Sequence, residues 1–218
     1  MGDDAPQVVN VPDRTRDLWI KQHQSVGDRH QLFAAVADAV QATTVLYPGS
    51  YVDLTPAFIW PSVTFVDVDR RANQFFSDPD GISGLQTEFG PGPSAHAVRF
   101  LHSDYQEPLD LADNSFDLLI SLYAGFVSEH CTRYLRVGGH LLVNSSHGDV
   151  AMASIDPRYR LHAVVAASHG VHRVTSTDLD TYLIPKRAIE VTREHLHQTF
   201  RGIAYTRSPF AYLFERQS

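Results

Sequence analysis

The feature that most constrains this chain is a hydrophobic period that switches repeatedly between helix and strand through its first 145 residues. Residues 28–41 place apolar side chains at 32, 33, 35, 36, 39 and 40, the stripe of an amphipathic helix with Asp28 as its N-cap. Residues 13–23 read as another helix before it. The run Thr43-Thr44-Val45-Leu46-Tyr47 then has the composition of a strand, stopped by Pro48-Gly49, and residues 63–67 form a second such run. Asp69 should cap a helix through Phe76. Residues 77–96, dense in Gly and Pro, read as irregular. Further strands are expected at 97–101 and 116–122. A helix follows with Phe126, Val127, Cys131, Tyr134 and Leu135 on one face, ended by Gly138-Gly139 and succeeded by a fifth strand at 140–145.

Several of these strands are continuous apolar runs rather than alternating ones, which is what a parallel sheet covered on both faces requires. The predicted fold class is therefore α/β: doubly wound, with a mostly parallel central sheet, helices on both faces and an antiparallel C-terminal part. That last part consists of a hairpin from 160–166 and 171–175 around His169-Gly170, a short capped helix over 177–184 and a final strand over 204–215. The chain shows no internal repeat and no linker, so residues 1–218 read as one domain.

Composition narrows the function classes. The chain has no tract of about 18 apolar residues that would span a membrane. Its 18 Lys and Arg against 25 Asp and Glu give a net charge of −7, which argues against a general nucleic-acid binder. Residues 1–157 carry 9 basic and 20 acidic side chains, whereas 158–218 carry 9 and 5. That basic tail has three candidate partners: an acidic substrate, a nucleic acid, or the chain's own acidic body. Cys131 is the single cysteine, so no internal disulfide forms and the reducing cytoplasm is the default compartment. The N-terminus has neither a basic nor an apolar region of the kind a signal peptide needs, and reads as a loose leader.

In an open parallel sheet the ligand sits beyond the carboxyl ends of the strands, where the strand order reverses. The residues just after each strand are therefore the candidates. They are Tyr47-Pro48-Gly49-Ser50-Tyr51-Val52-Asp53, then Asp67-Val68-Asp69, His102-Ser103-Asp104-Tyr105, Tyr123-Ala124-Gly125, and Asn144-Ser145-Ser146-His147-Gly148-Asp149. Most of these tips carry carboxylates and few carry cations, which suits a nucleoside better than a triphosphate.

At these residues the chain resembles the class I S-adenosylmethionine-dependent methyltransferases. The resemblance is carried by Asp104-Tyr105 after the third strand, Asn114-Ser115-Phe116-Asp117-Leu118-Leu119 into the fourth, Arg133-Tyr134-Leu135-Arg136-Val137-Gly138-Gly139 before the fifth, and the acidic end of Val63-Thr64-Phe65-Val66-Asp67. It covers roughly residues 28–150, which would be the cofactor-binding core, with 1–27 as leader and helix. The resemblance implies that Gly49 lets the backbone approach the methionine part of S-adenosylmethionine. Asp67 would hold the ribose hydroxyls, Asp104 the adenine amine, and Tyr105 would lie near the ring.

The first loop departs from the family pattern of an acidic residue followed by three alternate glycines. One glycine, Gly49, survives; the acidic position is Tyr47, and Tyr51 and Asp53 replace the others. Asp53 is read in two ways, as a substitute acid reaching the cofactor's amino group or as the cap of a short helix through Phe58. For the chemistry, the imidazole of His147 is the candidate general base and Tyr123 stands at the fourth tip. No metal site is expected, since His195-x-His197 points to two helix faces and His162, His169 and His172 match no zinc spacing. Cys131 should be packing. The expected activity is methylation of a small or medium-sized molecule, and the rival is a catalytically inert binding or scaffold protein on the same fold. The hairpin either lids the pocket or builds a homodimer.

Overall fold

The computed structural model describes residues 13–26, 29–90 and 96–218; the expected leader and the Asp28 cap lie outside them. The helices are α1 (Asp13–Val26), α2 (Arg29–Ala39), α3 (Arg70–Phe76), α4 (Pro79–Phe89), α5 (Val127–Cys131), α6 (Asp149–Ile155) and α7 (Arg193–Thr199). The strands are β1 (Thr44–Pro48), β2 (Ser62–Asp67), β3 (Ala97–His102), β4 (Phe116–Ser121), β5 (Leu135–Val143), β6 (Tyr159–Ser168), β7 (Val171–Thr175) and β8 (Ala211–Arg216).

One eight-stranded sheet results, in the order β3-β2-β1-β4-β5-β8-β6-β7. The first five strands pair in parallel, and β8 enters antiparallel between β5 and β6. The chain moves outward from β1 to β3, then returns to place β4 on the other side of β1. That reversal opens the crevice between β1 and β4. Leu46 and Leu119 face one layer, Val45 and Leu118 the other, because successive strand residues point to opposite faces. On the first face they pack with Val127, Cys131, Leu141 and Tyr212, and on the second with Leu32, Phe33, Val36 and Leu213. Cys131 is fully buried.

The parallel strands are clamped at their amino ends by Asp117. Its carboxylate accepts from the backbone N–H of Thr43 at 2.8 Å and of Thr44 at 2.9 Å, and from Arg136 Nε at 2.6 Å. These bonds outweigh its burial and hold it well below the usual carboxylate range.

Four local readings are corrected. Residues 79–89 form α4 rather than an irregular stretch: Pro79 takes the first helical turn, and Asp78 caps it by accepting from the N–H of Gly81 at 2.9 Å. The glycine there marks close packing, since a side chain at Gly81 would overlap Asp78 and Thr15 of α1. Gly138-Gly139 do not end a helix. They lie inside β5, where the pairing with β4 jumps from Phe116↔Leu135 to Leu118↔His140, so they build a bulge, with Gly138 at φ +76°. The last strand is confined to Ala211–Arg216, and the helix read over 177–184 is a single turn, Leu179–Thr181. The hairpin forms as expected. His169 and Gly170, at φ 50° and 79°, make the left-handed two-residue turn that suits strand twist.

Candidate functional site

Two cavities open at the carboxyl ends of the strands, and Tyr123 lies between them. The first, about 470 Å³, is lined by Gln22, Arg29, Gly49, Ser50, Tyr51, Leu122 and Tyr123. The second, about 410 Å³, is bounded by the tips of β3, β4 and β5 and by the end of α7. The hairpin of β6 and β7 lines neither.

The first loop is held from beneath. Arg29, opening α2, places Nη1 2.5 Å from Asp53 Oδ2 and 2.8 Å from the hydroxyl of Tyr47. All three side chains are buried, and Asp53 is 2% exposed. Two expectations are thereby corrected: Tyr47 and Asp53 do not face the cofactor side of the crevice. Tyr47 points from β1 toward α2, and Asp53 neutralises the buried Arg29. Burial and the Asp53 charge push the Tyr47 phenol far above its ordinary pKa, so it stays neutral. Asp53 Oδ1 also accepts from the N–H of Thr55 at 3.2 Å, opening the single 3₁₀ turn Thr55–Phe58, which is close to its second reading.

Gly49 sits at φ +66° with its N–H on Val66 O at 2.8 Å, and it lines the first cavity. A side chain there would overlap the Cβ of Ala124, so this glycine also lets the tips of β1 and β4 touch. Asp67 lies half-buried at the end of β2. Its two oxygens accept from the N–H of Tyr51 at 2.7 Å and of Asp69 at 2.8 Å. Val68 beside it is 60% exposed, an apolar surface between Asp67 and the tip of β3. There Asp104 is exposed and accepts from Gln106 N–H at 2.9 Å. Tyr105 donates its hydroxyl to the carbonyl of Ala124, joining the tips of β3 and β4, and burial pushes its pKa up to about 12.

Tyr123 and His147, the candidates for the chemistry, are both exposed and both left-handed, at φ 63° and 56°. Their tips are tied by buried Asn144, whose Oδ1 accepts from Tyr123 N–H at 3.3 Å and from the Ser146 hydroxyl at 2.7 Å. Both side chains line the second cavity. Sequence reasoning missed Arg29, whose guanidinium also lies 5.5 Å from the Tyr123 ring centroid. It missed Phe126 and Phe200 as well, because an aromatic after a strand or a helix carries no motif.

Beneath the second cavity Asp149 is fully buried. It accepts from the hydroxyls of Ser121 and Ser128, each at 2.5 Å, and from the Ser128 N–H. Burial raises its pKa to about 6 despite those bonds. Of the basic tail, Arg158 and Arg160 pair with Asp156 and Glu215 at 2.6 and 2.8 Å, so part of that charge serves the chain's own acidic groups. His195 and His197 do face apart, into a separate cavity and the second cavity respectively. No helix among the described residues is long and apolar enough to cross a membrane.

Five parallel strands in the order 3-2-1-4-5, an antiparallel strand beside the fifth, and a crevice at the β1/β4 reversal define the class I methyltransferase fold. Comparison with solved structures agrees. Cofactor-bound Rv0187 from MTB superposes with a TM-score of 0.52 at 15% identity, covering 75% of this chain and 88% of that one. The YcgJ protein from Bacillus subtilis gives 0.47 at 13%, over 87% and 99%. The O-methyltransferase TomG from Streptomyces achromogenes, in complex with SAM, gives 0.46 at 12%, over 77% and 89%. The likeness to Rv0187, at 15% identity, is one of fold. No protein-family model and no curated protein matches the chain.

Proposed function

We propose that this chain is an S-adenosylmethionine-dependent methyltransferase of the cytoplasm that methylates a small molecule. The observation that carries the reading is the pair of carboxylates on adjacent tips, Asp67 after β2 and Asp104 after β3, with exposed Val68 between them. Carboxylate oxygens accept from vicinal ribose hydroxyls and from an exocyclic amine, while an apolar surface between them suits a purine ring. The donor set of the first cavity fits the other half of the cofactor. Gly49 brings backbone to its wall, and Arg29 is the cation lining it.

When bound, S-adenosylmethionine supplies a methyl group activated by a sulfonium charge; the protein's task is alignment. Asp67 orients the ribose and also fixes the first loop through Tyr51 N–H. Asp104 and Val68 select the base. Tyr123, standing between the cavities, sets the approach of the acceptor. His147 takes a proton from an acceptor hydroxyl, which an imidazole does well near neutral pH.

The test is thermal denaturation with S-adenosylmethionine and S-adenosylhomocysteine, with NAD and ATP as controls. At ligand about 100 times Kd, linkage gives roughly 2.7 kcal/mol of stabilisation. For a chain of this size that is on the order of 5–11 °C in Tm. Asp67→Ala should abolish the shift, and no shift in the parent protein overturns the reading. The rival, an inert scaffold, draws on the altered first loop, where Tyr51 and Asp53 stand in place of glycines. It expects a folded chain indifferent to both ligands.

A further inference from the structure

The second cavity differs from the first in chemistry. Its walls are the rings of Tyr123, Phe126 and Phe200, with Tyr105 at its β3 end beside the place proposed for the adenine, and its other side chains include the imidazoles of His130, His147 and His197. Among the described residues, no Lys, Arg, Asp or Glu belongs to its lining. The Phe126 and Phe200 centroids lie 5.5 Å apart, and His197 meets Phe126 edge-on at 4.9 Å. Tyr123 and Phe200 are 56% and 60% exposed, large rings left in contact with water on the rim. Phe200 is also held left-handed, at φ 48°, as the cap of α7, where its N–H donates to Leu196 O at 2.9 Å. Tyr123 and Phe200 are thus two exposed rings on left-handed backbone around one concavity, the kind of feature that a ligand covers.

We infer that this cavity is the acceptor site and that it takes a planar aromatic molecule carrying a free hydroxyl. This rests on the first cavity being the donor side. The aromatic walls set the planar shape, because ring faces and edges gain most from another ring. With no Lys or Arg in its lining, the cavity favours a neutral ligand over a phosphorylated or polyanionic one. The imidazoles supply hydrogen-bond partners for a hydroxyl. His197 is oriented by Glu129, whose carboxylate lies 3.0 Å from its Nε2, so its other ring nitrogen is the one left for a ligand. A volume of about 410 Å³ is at the small end of ligand sites and suits one or two fused rings. Tyr123 is the one residue in both linings, so an acceptor seated here meets the donor cavity at that ring.

The probe is 2-naphthol, followed by its own fluorescence on titration with the full chain, with and without saturating S-adenosylhomocysteine. Naphthalene and 2-naphthyl phosphate serve as controls. We expect 2-naphthol to bind with S-adenosylhomocysteine present, naphthalene to bind several-fold more weakly, and the phosphate ester not to bind. Phe200→Ala should weaken 2-naphthol at least tenfold while leaving the thermal shift with S-adenosylhomocysteine unchanged. His197→Gln should remove most of the preference for 2-naphthol over naphthalene. Displacement of 2-naphthol by S-adenosylhomocysteine, equal binding of the phosphate ester, or unchanged affinity in Phe200→Ala each overturns the assignment. If S-adenosylhomocysteine gives no shift while Phe200→Ala still abolishes 2-naphthol binding, the methyltransferase reading fails and the aromatic site stands.

Discussion

The two cavities meet at Tyr123 and are built on opposite principles. The first rests on buried charge: Arg29, Tyr47 and Asp53 lie under the loop after β1, and Asp67 holds the loop from the side. The second rests on surface groups: Tyr123, Phe200 and His147 stand in water on left-handed backbone, backed by one short helix. A wall built on a buried ion pair cannot change without unfolding part of the core, whereas an exposed ring can. The wall of the first cavity is thus fixed by construction, and the second cavity is where the chain can vary at little cost in stability.

The sharpest way to break this contrast is Asp53→Ala. It leaves the Arg29 guanidinium buried without its charge partner and should cost about 3–5 kcal/mol in denaturant unfolding. Replacing both residues by apolar ones should recover much of that loss; if the single variant is as stable as the parent, the first loop does not rest on this pair. Gly49→Ala comes next. The left-handed φ and the overlap with Ala124 together should cost about 1–3 kcal/mol. Adding Ala124→Gly should return the steric part, a coupling that a double-mutant cycle reads directly.

Asp149 gives a pH test. Its folded pKa of about 6 lies above the ordinary carboxylate value of 3.8, so the folded chain holds this proton more firmly. Its contribution to stability is therefore present below about pH 4 and is lost as pH rises through about 6. Asp149→Asn keeps an acceptor and carries no charge to bury. The parent should lose about 1–3 kcal/mol relative to this variant between pH 4 and 7; parallel Tm profiles would show that the carboxylate ionises there freely. The smallest effect is expected at the second cavity, where Phe200→Ala should change unfolding free energy by less than about 1 kcal/mol. A larger loss would make that wall part of the fold and erase the contrast.

The fold was legible because its signals are local. Continuous apolar runs at β1, β2 and β4 announce buried parallel strands, and the helical stripe before β1 announces a covering helix. The misread segments share a cause. The Gly and Pro density of 77–96 suggests an irregular stretch and Gly138-Gly139 a helix end, but Gly81 sits where α1 passes close and Gly138-Gly139 make a bulge. Glycine marks both loops and close approaches, and spacing does not separate them. That Asp67 and Asp104 stand at the β2 and β3 tips was legible because a strand's end fixes where its next residue goes. Tyr47 and Asp53 were misplaced because the same rule says nothing about a partner 18 or 24 residues away in α2.

By itself the amino-acid sequence determined the layers, the parallel sheet, the antiparallel tail and the five tips from which a site is assembled. Those follow from hydrophobic period and turn chemistry, which act over a few residues. Only the tertiary structure decided which tip residues face the crevice and which are buried under it. It also joined Arg29 to Asp53, set Ala124 against Gly49, and gathered four rings and three imidazoles from the tips of β3, β4 and β5 and from α5 and α7 into one cavity. Contacts between distant segments depend on how the layers pack, and no short-range pattern encodes that.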